Sequence, residues 1–422
     1  MGDRRETDVL IVGGGPAGAL LGYLLARRGL DVIVAERQTG LERDFLGETV
    51  AAPSVVSLRR LGFGPELDAR GHLRTEGVTM FMEGRRVMHV DYRRFAIGTV
   101  PIDIPQPELI GMFVDAGNRY PGFGYRFGTA FTRLVEEDGV VRGAWLRHRN
   151  EPPVEVRARL VVGADGRFSK VRRAAGLSAD VQPMARDFLS FRVPRPPDWG
   201  LRAELVVDHD RHLVVLPTYP DSLRIGHNLP KRGLGTLREN GFPAFRAGIM
   251  ELYPRLAPVV REHLRGWDDT SFLEIFTAEV PQWARDGLIV IGDASHTCTP
   301  ILGQGVNVAI QDAIRLAPVV AGALAAGRGP VVAAAELSGF VEERRRHKAL
   351  VTRSQRLQES ALAQRAPLAV LLRRARYRTL NALPPLKYRF FEKVLSARHE
   401  IDPADLAADE GAGAVGPSPA RP

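Results

Sequence analysis

The sequence predicts an α/β fold: a Rossmann-like dinucleotide-binding domain, an inserted β-sheet substrate domain and C-terminal helices. Three observations predict it. The buried apolar run Val9–Val12 enters Gly13-Gly14-Gly15-Pro16-Ala17-Gly18 and then a helical stretch. Two later apolar runs, Leu160–Val162 and Leu288–Ile291, also end in glycine–aspartate turns. From about Pro183 to Ala278, strand-like runs broken by proline-rich turns read as a separate sheet.

Each element follows in order. Ala17 to Arg28 reads as a helix stopped by Gly29, and Val32–Ala35 as the next strand. Gly77 to Ile104 alternates like the inserted sheet and is expected to join it. Pro107 to Tyr120 reads as a helix, with proline in its first turn. Phe127–Glu136, Val140–Arg149 and Val154–Ala158 read as a meander turning at Asp138-Gly139, followed by Leu160–Val162 as a separate buried strand. Gly241 to Leu264 is helical in pattern, a long helix starts near Gly303, and Pro330 to Arg398 is mostly helical. The expected division gives 1–76, 105–182 and 281–329 to the dinucleotide-binding domain, and 77–104 and 183–280 to the substrate domain. Residues 330–400 are C-terminal helices, and 401–422 form a disordered tail rich in Ala, Gly, Asp and Pro.

Composition narrows the function classes. The chain has 422 residues, 45% hydrophobic and 25% charged, which is ordinary for a globular protein. One cysteine, Cys298, excludes an intramolecular disulfide and any all-cysteine metal site, and fits a cytoplasmic life. The net charge of +9 invites a nucleic-acid reading, but its distribution argues against one. Between Arg344 and Arg398 there are 15 Lys+Arg against 2 Asp+Glu, while the remainder carries 43 basic and 47 acidic residues. The apolar runs are shorter than a membrane span, so a soluble protein is expected.

The first motif carries dinucleotide chemistry. Gly13 permits a tight turn, Gly15 lets the backbone approach a pyrophosphate, and Gly18 lets the helix pack closely. Pro16 and Ala17 start the helix, whose free N–H groups favour phosphate. Glu36 ends the second strand where a carboxylate can accept from ribose hydroxyls, with Arg37 beside it. In the second motif, Asp165 and Ser169 read either as helix caps or as part of a cofactor site. In the third, a strand delivers Gly292-Asp293 to a crevice, where Asp293 can hold a polyol hydroxyl. Pro300, Gly303, Gln304, Gly305, Val306 and Asn307 then begin a helix suited to stabilising negative charge on a flavin ring.

Together, in this order, the three motifs resemble the class A flavoprotein monooxygenases of the para-hydroxybenzoate hydroxylase type. The resemblance implies FAD as cofactor and NADPH or NADH as transient co-substrate. It implies transfer of one oxygen atom from O2, through a flavin C4a-hydroperoxide, to an electron-rich aromatic, quinone or polycyclic small molecule. It assigns Asp165 to the nicotinamide and pyrophosphate side, Asp293 to the ribitol and Gly303 to Asn307 to the flavin ring. Gln106, three residues before Leu109, matches the family's FAD-binding Arg or Gln, and Arg43 matches an arginine that approaches the cofactor.

Rival readings remain on the same scaffold: an epoxidase, an alkene or prenyl reductase, or a non-catalytic binder. A halogenase would need a lysine between the first two motifs and a Trp-x-Trp-x-Ile-Pro segment; the first lysine is Lys170, and no tryptophan forms that pattern. His296, beside the third motif, is a candidate proton relay, weighed against a packed histidine. His209, His212, Tyr219 and His227 fall in the substrate sheet, where structural or solvent-facing roles compete with catalysis. The basic C-terminal helices read either as a solvated cover over the substrate domain or as a weak contact with a membrane or carrier protein.

Overall fold

The computed structural model describes residues 5–42, 48–300, 303–364 and 366–395. The parallel part of its eight-stranded main sheet runs in the order Leu288–Val290, Val154–Gly163, Glu6–Val12, Val32–Ala35 and Phe123–Arg126. Val9 lies between Leu160 and Val32. Such strands are covered on both faces, so they read as unbroken apolar runs. The helix Pro16–Arg27 packs between Gln106–Gly117 and Gln304–Ala326. Close approach depends on Gly22, where an added Cβ would fall 2.7 Å from Val34 Cγ2.

One strand replaces two expected ones. Val154–Gly163 is continuous, its first half closing the meander against Val140–His148 and its second half lying between parallel neighbours. Its burial changes accordingly, alternating up to Arg159 and complete from Leu160. A change of neighbours midway along one strand produces a change of pattern that resembles a chain break.

The second sheet has seven strands in the order Thr270–Leu273, Arg186–Pro194, Ser222–Pro230, Arg211–Thr218, Arg202–Asp208, Gly77–Met82 and Arg85–Asp91. Gly77–Met82 joins it in parallel beside Arg202–Asp208. Leu213, Val215, Leu223 and Ile225 bury one face against the helices Phe242–Leu252 and Ala257–His263. Alternation puts Val214, Leu216 and Arg224 on the other face.

Prolines start the last two helices of the mostly helical C-terminal stretch. After Ser338–Leu362 come Pro367–Ala382 and Pro384–Leu395. Gln304–Ala326, at mean hydropathy 1.5, is long and apolar enough to cross a membrane, which the shorter sequence runs did not suggest. Here it is a core helix, burying Asn307, Gln311 and Asp312 among its apolar residues. The tail 401–422 lies outside the described residues.

Candidate functional site

The first turn is set by contacts that only glycine allows. Gly13 has φ +104°, and a Cβ there would meet Ala164 O at 2.4 Å, so the first and second loops are in contact. A Cβ on Gly18 would fall 1.9 Å from Gly13 O, so the helix sits directly on its own turn. Gly15 precedes Pro16 in extended conformation, no described side chain caps this helix, and its first turn carries no acid. Glu36 is buried beside the turn and accepts from Gly14 N at 2.9 Å and Gln38 N at 2.8 Å. These bonds hold the carboxylate at the end of its strand. Arg37 is exposed. Tyr125, which the motif does not reveal, donates to Gly14 O at 2.7 Å from the neighbouring strand.

The second loop is capped by its own side chains. Asp165 accepts from Ser169 Oγ, from Lys170 N at 2.7 Å and from Val171 N at 3.1 Å, while Ser169 Oγ accepts from Arg172 N at 2.9 Å. The helix Lys170–Ala174 therefore has its first N–H groups satisfied internally, the capping alternative that the sequence allowed. Arg172 reaches from it to the third loop, donating to Ala294 O at 2.9 Å.

The third loop turns at Gly292, φ +60°, and presents Asp293 with Arg167 Nε 3.6 Å away. Burial raises the Asp293 pKa against the lowering influence of Arg167. Pro300 is exposed and accepts from Gly303 N at 2.9 Å. Gly303 adopts the left-handed conformation that starts Gln304–Ala326, again with no described side-chain cap and no acid in the first turn. A Cβ on Gly305 would meet nothing within 4 Å. Val306 and Asn307 are buried.

The Asn307 side chain, expected at the flavin ring, is bonded within the protein. Its Oδ1 accepts from Ala51 N at 2.8 Å, and its Nδ2 donates to Thr49 O at 3.2 Å and Gly303 O at 2.8 Å. One amide proton goes to Thr49 and the other to Gly303 at the start of its own helix, so the side chain ties Thr49–Ala51 to the helix start. Gln106 is buried at the first residue of its helix. Arg43 lies outside the described residues.

Behind the third loop is an ion cluster that sequence reading missed. Lys348 Nζ donates to Asp312 Oδ2 at 2.6 Å and Ser295 Oγ at 2.9 Å, Arg344 Nε donates to Asp312 Oδ1 at 2.8 Å, and Gly292 N donates to Asp312 Oδ2 at 2.8 Å. Burial opposes ionisation of Asp312, but Lys348 and Arg344 outweigh it and hold its pKa below the ordinary value. The spacing of Arg344 and Lys348, one helical turn apart, was the available signal; in a segment of 15 basic residues it was indistinguishable from a solvated face.

His296 is buried with Nε2 2.7 Å from Thr352 Oγ1, and burial pushes it down to about 3. It is held by a hydroxyl, the packed arrangement that the sequence allowed. Of the sheet residues, His209 is exposed beside Asp208, His212 is buried and pushed down to about 3 chiefly by burial, and His227 packs on Phe245 on the helix-covered face. Tyr219 N donates to Asp103 Oδ1 at 3.0 Å.

A polar cluster joins the seven-stranded sheet to the short strand Thr49–Val50. Glu48 accepts from Arg192 at 2.5 Å and Arg224 at 3.2 Å, and the two arginines are directly opposite on paired strands. Asp103, fully enclosed nearby, is pushed up to about 6 by burial against the lowering influence of Arg224. Thr49, which pairs with Asp103, approaches within 3.7 Å of a Cβ placed on Gly303. Through Glu48 and Thr49, the seven-stranded sheet and the third-motif helix start therefore meet at one place.

The donor chemistry fits FAD. Among the described residues, two helix starts have no side-chain cap and no first-turn acid, so their N–H groups suit a pyrophosphate and an electron-rich ring, whereas the self-capped Lys170–Ala174 does not. Gly305 adds open space where a planar group can approach the backbone.

A parallel array of strands carrying a Rossmann turn, a carboxylate at the end of the second strand and a second helix start with no described side-chain cap define a dinucleotide-binding protein. A family model described as an FAD binding domain matches residues 6–354, and the chain belongs to that family. It is 35% identical over 320 residues to 6-methylpretetramide 4-monooxygenase of Streptomyces rimosus, covering 75% of this chain and 76% of that protein. It is 30% identical over 350 residues to kynurenine 3-monooxygenase of Salinispora arenicola, covering 74% and 72%. Its fold matches PqsL of P. aeruginosa, solved with 2-aminobenzoylacetate, at a TM-score of 0.75 and 23% identity over 87% of this chain and 99% of that one. The protein is an FAD- and NAD(P)H-dependent monooxygenase.

Proposed function

We propose that the enzyme hydroxylates an electron-rich aromatic or polycyclic small molecule held between the seven-stranded sheet and the start of Gln304–Ala326. The observation that carries this is the meeting of half-buried Val214 and Leu216, an apolar surface, with Arg224, Arg192 and Glu48 beside Thr49 and Gly303. Apolar walls with a few placed polar groups suit a flat ring bearing oxygen substituents. The names of the relatives, which place them on 6-methylpretetramide and kynurenine, support an aromatic substrate.

Roles follow from placement. The backbone of Gly13, Gly15 and Gly18 holds the pyrophosphate, Glu36 takes the adenosine ribose, and Asp293 takes the ribitol. Gln106 flanks the cofactor. The N–H groups following Gly303 steady charge on the ring, and Asn307 keeps that helix start in register. Bound FAD supplies reducing capacity from NAD(P)H and the activation of O2. The protein orients the substrate and excludes water. Overall, substrate C–H, O2, NAD(P)H and H+ give substrate C–OH, NAD(P)+ and water.

The proposal also includes weak contact of the C-terminal helices with a membrane or carrier protein, supported by their positive balance, and a cytoplasmic location, supported by cysteine usage. A screen of aromatic and polycyclic compounds tests the chemistry. A substrate should stimulate NAD(P)H oxidation and gain the mass of one oxygen atom. A product heavier by two hydrogens would replace the hydroxylase with a reductase, and oxidation without any oxygenated product across the screen would remove the reading.

A further inference from the structure

The last two helices present apolar side chains on both sides. On Pro367–Ala382, Val370, Tyr377 and Leu380 face inward, the latter two packing with Met80, Met88 and Val90 of the sheet edge. The opposite stripe, Leu368, Leu371 and Leu372, follows helical spacing and is 66%, 51% and 59% exposed. Leu383, Leu386 and Phe390 continue the exposed apolar series into Pro384–Leu395. Large exposed side chains are expected singly on a soluble surface; six within 23 residues mark an interaction site.

The charge around this stripe is of one sign. Arg376 and Arg378 flank it on either side of the helix, Arg389 lies beside Phe390, and all three are exposed. From 366 to 395 the only acidic residue is Glu392. Its Oε1 accepts from Ala96 N, so it is held toward the sheet. Two copies meeting through this stripe would bring arginines against arginines. An apolar stripe bordered by guanidinium groups instead complements a surface with acyl chains beneath a layer of negative charge.

We propose that the outer face of the helices Pro367–Ala382 and Pro384–Leu395 docks the enzyme reversibly on an anionic lipid bilayer. Leu368, Leu371, Leu372, Leu386 and Phe390 enter the headgroup boundary, and Arg376, Arg378 and Arg389 contact lipid phosphates. This narrows the partner reading given above to lipid and rests on it; the oxygenation chemistry is independent of it. No described cofactor-site residue belongs to this face, so a poorly soluble polycyclic substrate at the membrane could be reached without altering the flavin site.

The test is co-sedimentation of the full-length holoenzyme with vesicles of phosphatidylcholine containing one third phosphatidylglycerol, compared with phosphatidylcholine alone. The enzyme should sediment with the anionic vesicles only, and less in high salt. Arg376→Gln, Arg378→Gln and Arg389→Gln should each weaken binding about fivefold. Leu371→Ser with Leu372→Ser should weaken it about tenfold while NAD(P)H oxidation with a soluble substrate is unchanged. Equal sedimentation with both vesicle types, or with neither, overturns the proposal. Light scattering that shows a dimer dissolved by the leucine pair assigns the stripe to self-contact. Capture of an acidic carrier protein without vesicle binding keeps a partner surface and removes the lipid.

Discussion

The Lys348 ammonium lies 2.6 Å from Asp312 Oδ2, and both side chains are completely enclosed. Asp312 also accepts from Gly292 N, so a lysine from the C-terminal helices fixes the loop that carries Asp293. Burying these charges is costly, and the pair is retained by its full set of donors and acceptors. Lys348→Met should remove about 3 kcal/mol or more of stability, because Asp312 loses one of its two cationic partners. FAD affinity should fall about tenfold or more through displacement of the Gly292 turn. Thermal unfolding and fluorescence titration with FAD check both, and Lys348→Arg should restore part of each.

Glycines 13 and 305 should respond differently to the same substitution. Gly13→Ala forces a Cβ to 2.4 Å from Ala164 O at a left-handed φ, so soluble folded protein should be largely lost. Gly305→Ala meets nothing in the protein within 4 Å. It should fold with an unchanged melting temperature as apoprotein, and any loss of FAD binding then comes from the new methyl against the cofactor. Unchanged FAD affinity in Gly305→Ala would place the ring elsewhere.

Asn307→Ala should cost about 1–3 kcal/mol by leaving Ala51 N without its amide partner and freeing Thr49 from the helix start. Asn307→Asp keeps the acceptor and loses both donors, so it should fall between Ala and wild type in denaturant midpoint. If Asn307 contacted the ring instead, both variants would lose FAD affinity without loss of apoprotein stability.

Buried histidines set the acid limit. His212 and His296 are pushed down to about 3 in the folded protein from an ordinary 6.5, chiefly by burial. Between those values the unfolded chain binds protons that the folded chain does not. Stability is therefore full above about 6.5 and falls as pH drops toward 3, by about 1.4 kcal/mol per unit for each histidine. Asp103, pushed up to about 6, works oppositely: its folded form holds a proton over roughly pH 4 to 6, which partly offsets the loss. Denaturant midpoints at pH 7 and pH 5 should differ, and His212→Gln should reduce the difference. A midpoint independent of pH would show that these rings are protonated in the fold.

The sequence marked the three turns because each is a local requirement. Gly13, Gly166 and Gly292 occupy positive φ angles, and apolar runs deliver the chain to these loops along parallel strands. The Val154–Gly163 strand was divided in two because its pattern changes where its neighbours change, and neighbours are not written in a window of ten residues. The two roles of Asp165 were both visible; only the bonds to Ser169, Lys170 and Val171 show that capping is its geometry.

By itself, then, the sequence determined the α/β order, the dinucleotide turn and the glycine-led helix start, since these follow from φ angles and periodicity within a few residues. Tertiary structure alone decided that Lys348 reaches Asp312 across 36 positions, that Asn307 is used up on Thr49 and Ala51, and that Leu371 rather than Val370 faces outward. Both stripes of that helix are apolar, and periodicity assigns an apolar stripe to the interior. Which stripe is inside depends on a sheet edge contributed by residues almost 300 positions earlier, and only folding brings the two together.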